Sequence, residues 1–157
     1  MKLTTKQDID APSDFVFAQL SDFDSWERAA MRRGVEVDRT DKLTAPGPGM
    51  SWLAKFRYRG RERKLALKVD RVDAEGQIAF SLSSAQSDGT LSVDLVAMAA
   101  KSTRAFVNID VLPKTFTAKL FVQSLKLAKS RVDKKVVQRA AMFAAEIEER
   151  YKRSQNR

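Results

Sequence analysis

The sequence predicts an α+β chain: a curved, seven-stranded antiparallel sheet, two short helices inserted after the first strand, and one long C-terminal helix. First, residues 35–112 alternate apolar and polar side chains in run after run, broken by turns rich in Gly and Asp, as in an antiparallel meander with one buried face. Second, from Lys114 to Arg153 the period lengthens. Phe121, Leu125, Ala128, Val132, Val136, Ala140, Phe143, Ile147 and Tyr151 recur every three or four positions, one stripe of a 3.6-residue helix. Third, two segments of helical composition separate the first strand from the meander.

Residues 2–10 place Leu3, Thr5, Gln7 and Ile9 on one side of an extended chain and Lys2, Thr4, Lys6, Asp8 and Asp10 on the other, a half-exposed strand. Ala11-Pro12-Ser13-Asp14 ends it and opens a helix carrying Phe15, Val16, Ala18, Gln19 and Leu20. A second helix covers Phe23 to Arg33, with Trp26, Ala29, Ala30 and Met31 supplying apolar area and Gly34 placed as its C-terminal cap. Val35 to Thr40 is a short strand. Asp41 to Gly49 is a loop, because Ala45-Pro46-Gly47-Pro48-Gly49 cannot sustain pairing.

From Met50 to Arg59, Met50, Trp52, Ala54, Phe56 and Tyr58 share one face, and Lys55, Arg57 and Arg59 the other. Gly60 turns the chain, Arg61 to Asp73 alternates Leu65, Leu67 and Val69 with Ala66, Lys68 and Asp70, and Ala74-Glu75-Gly76 turns it again. Gln77 to Ala85 presents Ile78, Phe80 and Leu82, and Ser87-Asp88-Gly89 reads as a hairpin turn. Thr90 to Ala100 presents Leu91, Val93, Leu95, Ala97 and Ala99; after Lys101-Ser102, Thr103 to Leu112 presents Ala105, Val107, Ile109 and Val111. Arg57, Arg59, Arg61 and Arg63 are expected together on the solvated side, opposite Phe56 and Tyr58.

No Gly or Pro interrupts Lys114 to Arg153, and Pro113 suits a helix entrance because its missing N–H has no partner there. At roughly 1.5 Å per residue the element approaches 60 Å, about twice a small domain's diameter, so a break is expected near Lys129 and Ser130. Phe116, Leu120 and Leu127 fall on the side away from the stripe, which makes residues 114–128 apolar on two faces. A ligand, a partner chain, a membrane or a change of direction would each account for that. Covering an apolar sheet face is worth roughly 25 cal/mol per Å², against about 0–1 kcal/mol for a surface ion pair. Burial therefore sets the architecture.

A chain of 157 residues has the size of one domain, taken here as 1–157. With 43% hydrophobic and 31% charged residues it has the composition of a soluble globular protein, and Met1 to Asp8 lacks a signal-peptide apolar core, so a cytoplasmic location is expected. The chain contains no Cys and no His. That excludes disulfides, thiolate nucleophiles, imidazole bases and Cys- or His-ligated metals, and no cofactor or metal is expected. Residues 114–157 hold 12 Lys and Arg against 4 Asp and Glu, which accounts for nearly all of the net charge of +9. A basic helix reads first as a solvated face, then as a contact for an anionic membrane surface, with nucleic acid last.

Ile9-Asp10-Ala11-Pro12-Ser13-Asp14-Phe15-Val16-Phe17, followed by Leu20, Asp22 and Trp26, resembles the first-strand-to-helix signature of the START-like, or Bet v 1-like (SRPBCC), superfamily, including its polyketide cyclase or dehydrase-like members. The likeness extends over the order of elements along the whole chain. It implies a helix-grip fold, in which the sheet grips the C-terminal helix around a hydrophobic cavity for lipids, isoprenoids, polyketides or aromatic molecules. It carries over no catalytic motif.

The candidate ligand-binding residues are Trp52, Phe56, Tyr58, Leu67, Phe80, Leu82, Val93 and Leu95 on the presumed inner face of the sheet, with Phe121 and Leu125 on the helix. Plain core packing is the alternative for each. Tyr58 stands out because a phenol at the end of an apolar row can orient a ligand through one hydrogen bond. The loop from Asp41 to Gly49 is expected at the cavity mouth, with Leu43, Pro46 and Pro48 as a lid. The pairs Asp8/Asp10, Asp22/Asp24 and Glu146/Glu148 fall on surfaces rather than in an acid-base site. Three readings stay open: a carrier or binding protein for a small hydrophobic molecule, a cyclase- or dehydratase-type enzyme using Tyr58, and a membrane-peripheral protein docking through its basic C-terminal helix.

Overall fold

The computed structural model describes residues 1–156. In chain order the elements are β1 (Lys2–Ile9), α1 (Ser13–Leu20), α2 (Phe23–Arg32), β2 (Glu36–Arg39), β3 (Ser51–Tyr58), β4 (Arg61–Asp73), β5 (Gln77–Ser83), β6 (Ser87–Ala99), β7 (Ser102–Pro113), α3 (Phe116–Leu127) and α4 (Lys129–Gln155). The strands form one seven-stranded sheet in the order β1-β7-β6-β5-β4-β3-β2, antiparallel throughout. The first strand returns to pair with the last, and α4 lies along it. This is the expected α+β helix-grip architecture.

Register explains why a single face is apolar. Trp52 lies opposite Leu67, Leu67 opposite Leu82, Val69 opposite Phe80, and Phe80 opposite Leu91. Ile78 faces Val93, which faces Val107, which faces Thr5. Directly paired residues share a face, so these rows make one continuous apolar surface toward the helices. The same rule overturns the reading of the arginines. Arg63 lies opposite Phe56 and Arg61 opposite Tyr58, which puts both on the apolar side, while Arg57 stays on the outer side and Arg59 sits in the turn itself. Counting by two along one strand fails here because the chain reverses at Arg59 (φ 51°) and Gly60 (φ 75°), two left-handed residues that make a tight hairpin connection.

Two further readings shift. The β5–β6 turn lies at Ser84–Gln86, where the Ser84 amide and hydroxyl both donate to the Ser87 carbonyl at 2.9 and 3.0 Å. Asp88 and Gly89 are inside β6. Gly89 serves close approach rather than a turn: a Cβ there would meet the Asp110 carbonyl oxygen at 3.2 Å. Pro113 ends β7 opposite Ser87, and the cap of α3 is Thr115, whose hydroxyl accepts from the Ala118 amide at 3.1 Å and bonds the Gln86 side chain at 2.6 Å.

The long helix breaks at Ala128 (φ −104°, ψ 29°), one residue before the expected place. In α4 most of the stripe is as expected, with Ile147 buried and Tyr151 set edge-on to Phe15 at 5.2 Å between ring centres, but Ala144 is buried in the place expected of Phe143, and Phe143 is 42% exposed. In α3 the inward side chains are Ala118 and Val122, and Phe121 is 53% exposed. The phase of the stripe does not survive the break. The core forms two clusters, one of Ile9, Ala11, Val16, Leu95, Ala105, Ala144 and Ile147, the other of Phe23, Met50, Trp52 and Val69. Fully burying aliphatic side chains such as Val16, Val69 and Ile78 is worth roughly 1.5–3 kcal/mol each.

Candidate functional site: an apolar groove open at one end

Both core clusters sit at the same end of the sheet, where β1 runs into α1 and where β3 begins. Toward the opposite end, with the β3–β4 and β5–β6 turns and the start of α3, burial of the inner face falls on strand after strand. On β3, Trp52 and Ala54 are buried, Phe56 is half-buried, and Tyr58 is 54% exposed. On β4, Val69 is buried while Leu67 and Leu65 are half-buried; Ile78 gives way to Phe80 and Leu82 on β5, and Leu95 to Val93 and Leu91 on β6. On β7, Thr103 and Ala105 give way to Val107 and Ile109. From β3 to β7 the inner face is therefore a groove, packed shut at one end and accessible at the other; on the neighbouring edge strand β1, Leu3 is buried at the open end as well.

The closed end is sealed by α2. Phe23 lies 5.7 Å from the Trp52 ring and 6.1 Å from Phe80, and Trp26 lies 5.2 Å from Phe143 of α4. The Trp52 indole N–H donates to Glu27, and that of Trp26 to the Leu20 carbonyl at 3.1 Å. The hydroxyl of Thr103, fully buried, donates to the Ala11 carbonyl at 2.7 Å. Aromatic packing with satisfied polar atoms of this kind makes a rigid wall.

The loop from Asp41 to Gly49 belongs to this closed end and not to the mouth. Its end is tied to β4, with the Gly49 amide on the Val69 carbonyl at 2.8 Å. Asp41 accepts from the Arg39 guanidinium at 2.6 and 2.8 Å and from the amides of Ser51 and Leu43 at 2.8 and 2.9 Å. Arg39 first, and then the Ser51 and Leu43 amides, hold its carboxyl well below the usual carboxylate range. Leu43 packs toward Gly49 and closes no opening.

At the open end β4 pairs with β5 only from Ala66 onward, so Arg61 to Leu65 form with β3 a two-stranded ribbon that overhangs the sheet. Arg63 projects from it onto the apolar side. Its Nε is buried without a hydrogen-bond partner, an arrangement that costs about 1–3 kcal/mol. Among the described residues it forms no ion pair. No Asp or Glu occupies an inner position of the sheet: Asp8 is on the outer face, paired with Arg104 at 2.7 Å, which lowers its pKa, and Asp70 there accepts from Ser81.

The ten sequence-predicted site residues separate along this gradient. Phe56 and Leu82 line the accessible half, Leu67, Phe80 and Val93 are half-buried where it meets the packed clusters, and Leu125 of α3 is half-buried. Trp52 and Leu95 belong to the packed core. Tyr58 stands at the tip of the ribbon with the Arg59 guanidinium carbon 5.4 Å from its ring centre, and Phe121 lies on the flank of α3. Arg63, Leu65 and Leu91 were missed; pairing Met50–Tyr58 with Arg61–Val69 across a two-residue turn would have found Arg63 and Leu65. Two shallow hollows lie elsewhere: one of about 150 Å³ by Ser13, Phe17 and Glu75, and one of about 230 Å³ by Lys2, Thr90 and Asn108 on the outer face. Both are polar-rimmed, unlike the groove. No helix among the described residues is long and apolar enough to cross a membrane.

No protein-family model matches the sequence, and no curated protein matches it either. Solved structures do. A START superfamily protein from Mycobacterium smegmatis superposes with a TM-score of 0.57 at 15% identity, over 87% of this chain and 97% of that one. The Zhui aromatase/cyclase from Streptomyces sp. R1128 gives 0.60 at 12% identity, over 90% and 93%. Norcoclaurine synthase from Thalictrum flavum gives 0.63 at 12% identity, over 95% and 84%. At these identities the likeness establishes architecture alone: the chain has the START-like, Bet v 1-like helix-grip fold.

Proposed function

We propose that this protein, a single START-like domain over 1–157, binds or carries a small hydrophobic molecule, a lipid, isoprenoid, polyketide or aromatic compound, in the open half of the groove. The carrying observation is the burial gradient. Phe56, Leu67, Leu82 and Val93 remain accessible beside a wall that is fully packed, and an apolar concavity that its own helices leave partly uncovered gains from an apolar occupant. The fold shared with the START superfamily protein supports this reading. Native mass spectrometry of gently purified protein, followed by displacement of the neutral dye Nile red with lipid, isoprenoid and aromatic panels, tests it. Copurified ligand or specific displacement is the expected result; neither would defeat the reading.

Two other readings weigh differently. A cyclase- or dehydratase-type activity has a structural neighbour in the Zhui aromatase/cyclase, but the inner sheet positions supply no carboxylate, and Tyr58 is largely solvated. Peripheral docking on an anionic membrane is favoured by a specific observation. Phe116, Leu120 and Leu127 form an outward ridge on α3, opposite the buried Ala118 and Val122, with Leu127 93% exposed. Lys119 and Lys126 line one side of the ridge, and α3 contains no acidic residue. Apolar side chains facing outward beside a row of lysines suit an interfacial helix, and its place beside the groove mouth makes docking compatible with a carrier role.

A further inference from the structure

Within the groove, and resting on the reading of it as a ligand site, one side chain is out of keeping with its surroundings. Arg63 occupies an inner position between Arg61 and Leu65 and directly opposite Phe56, on a face whose half-buried members on β3 to β6 include the hydrocarbon side chains of Leu67, Leu82 and Val93. We propose that the ligand is an amphipathic anion, whose apolar body lies along Leu67, Leu82 and Val93 and whose carboxylate or phosphate group is held by the Arg63 guanidinium.

Three features lead to this. The Nε–H of Arg63 is shut off from water with no acceptor, and no carboxylate among the described residues pairs with the guanidinium. An arginine that merely extended its head to water along an apolar stem would satisfy its terminal nitrogens but leave Nε unbonded. The two Nη groups, which form no hydrogen bond among the described residues and are not enclosed as Nε is, can hold an oxyanion end-on in a bidentate geometry, and a charge-assisted pair there offsets the cost of the enclosed Nε. Finally, Arg61 projects from the same face one pleat nearer the tip, while the intervening Glu62 lies opposite Arg57 on the outer face, so the inner side of the mouth carries two positive charges and attracts anions.

Competition against Nile red with three ligands of equal chain length, laurate, dodecyl phosphate and dodecanol, tests the proposal. For the unmodified protein both anions should compete at least about tenfold better than the alcohol, as a charge-assisted bidentate bond implies; their relative order identifies the preferred group. Arg63→Gln should bring both anions to the level of dodecanol while leaving dodecanol within about twofold, and Arg63→Lys, which keeps the charge but not the fork, should fall between. Arg57→Gln, on the outer face of the same ribbon, should change none of the three. Because Arg63→Gln removes a desolvated charge, it should melt no lower than the unmodified protein, which separates lost recognition from lost folding. Equal competition by acid and alcohol, or an anion preference that survives Arg63→Gln, overturns the proposal and leaves the groove reading intact. Failure of Nile red and all three ligands to bind overturns both.

Discussion

The indole N–H of Trp52 on β3 donates to the Glu27 carboxylate on α2. This fastens α2 to the sheet where Phe23 and Val69 exclude water. Trp52→Phe keeps most of the ring packing but leaves the Glu27 carboxylate without its donor, and a loss of about 1–2 kcal/mol is expected in urea denaturation. Trp52→Ala also opens a cavity and should lose about 3–5 kcal/mol. Neither should change ligand affinity in the fraction that stays folded, because this ring belongs to the closed end.

Leu82 should behave in the opposite sense. It faces the same groove, two strands away and opposite Leu67, but is only half-buried. Leu82→Ala is expected to cost less than about 2 kcal/mol of stability and to weaken Nile red binding and ligand competition several-fold; Phe56→Ala should do likewise. Equal losses of affinity in the Trp52 and Leu82 variants would remove the distinction between packed and open halves.

How much of this was legible beforehand follows from what each signal contains. Period-two alternation assigns a face within one strand, and it placed Trp52, Phe56, Leu67, Phe80, Leu82 and Val93 on the inner side, where they are. It carries no information across a turn, so alternation alone puts Arg63 on the outer face, whereas its register with Phe56 puts it on the inner one. Nor does alternation encode depth. Trp52 and Leu82 look equivalent as apolar residues, and only the position of α2 makes one core and the other wall. On the helix, a single stripe from Phe121 to Tyr151 presumed one continuous phase; the break at Ala128 resets it, so Val122 turns inward and Phe121 outward. The break was legible from length alone, its consequence for phase was not.

Acid should loosen the loop that ends in β3. Because the pairing with Arg39 and the Ser51 and Leu43 amides depresses the folded-state pKa of Asp41, its contribution is fully present above the unfolded carboxylate value of about 3.9. It is lost as pH falls from there through the lower folded value. Asp41→Asn should therefore be less stable than the unmodified protein near neutrality, with the gap narrowing as pH is lowered from about 5 toward about 2. Urea midpoints measured across that range check the sign. A gap independent of pH would mean that the carboxylate's charge plays no part in holding the loop.

The ridge on α3 makes a different demand, since Phe116, Leu120 and Leu127 face away from the rest of the protein and contribute little to its folding. Replacing the three by Ser should leave the urea midpoint nearly unchanged, because exposed apolar side chains lose little when truncated. If the ridge inserts among lipids, the same variant should cease to sediment with phosphatidylglycerol vesicles. The unmodified protein should sediment with them at low salt, less at high salt as the attraction of Lys119 and Lys126 is screened, and hardly at all with neutral phosphatidylcholine. Sedimentation indifferent to lipid charge, salt and the ridge would reject membrane docking. Loss of binding without loss of Nile red affinity would separate docking on α3 from occupancy of the groove beside it.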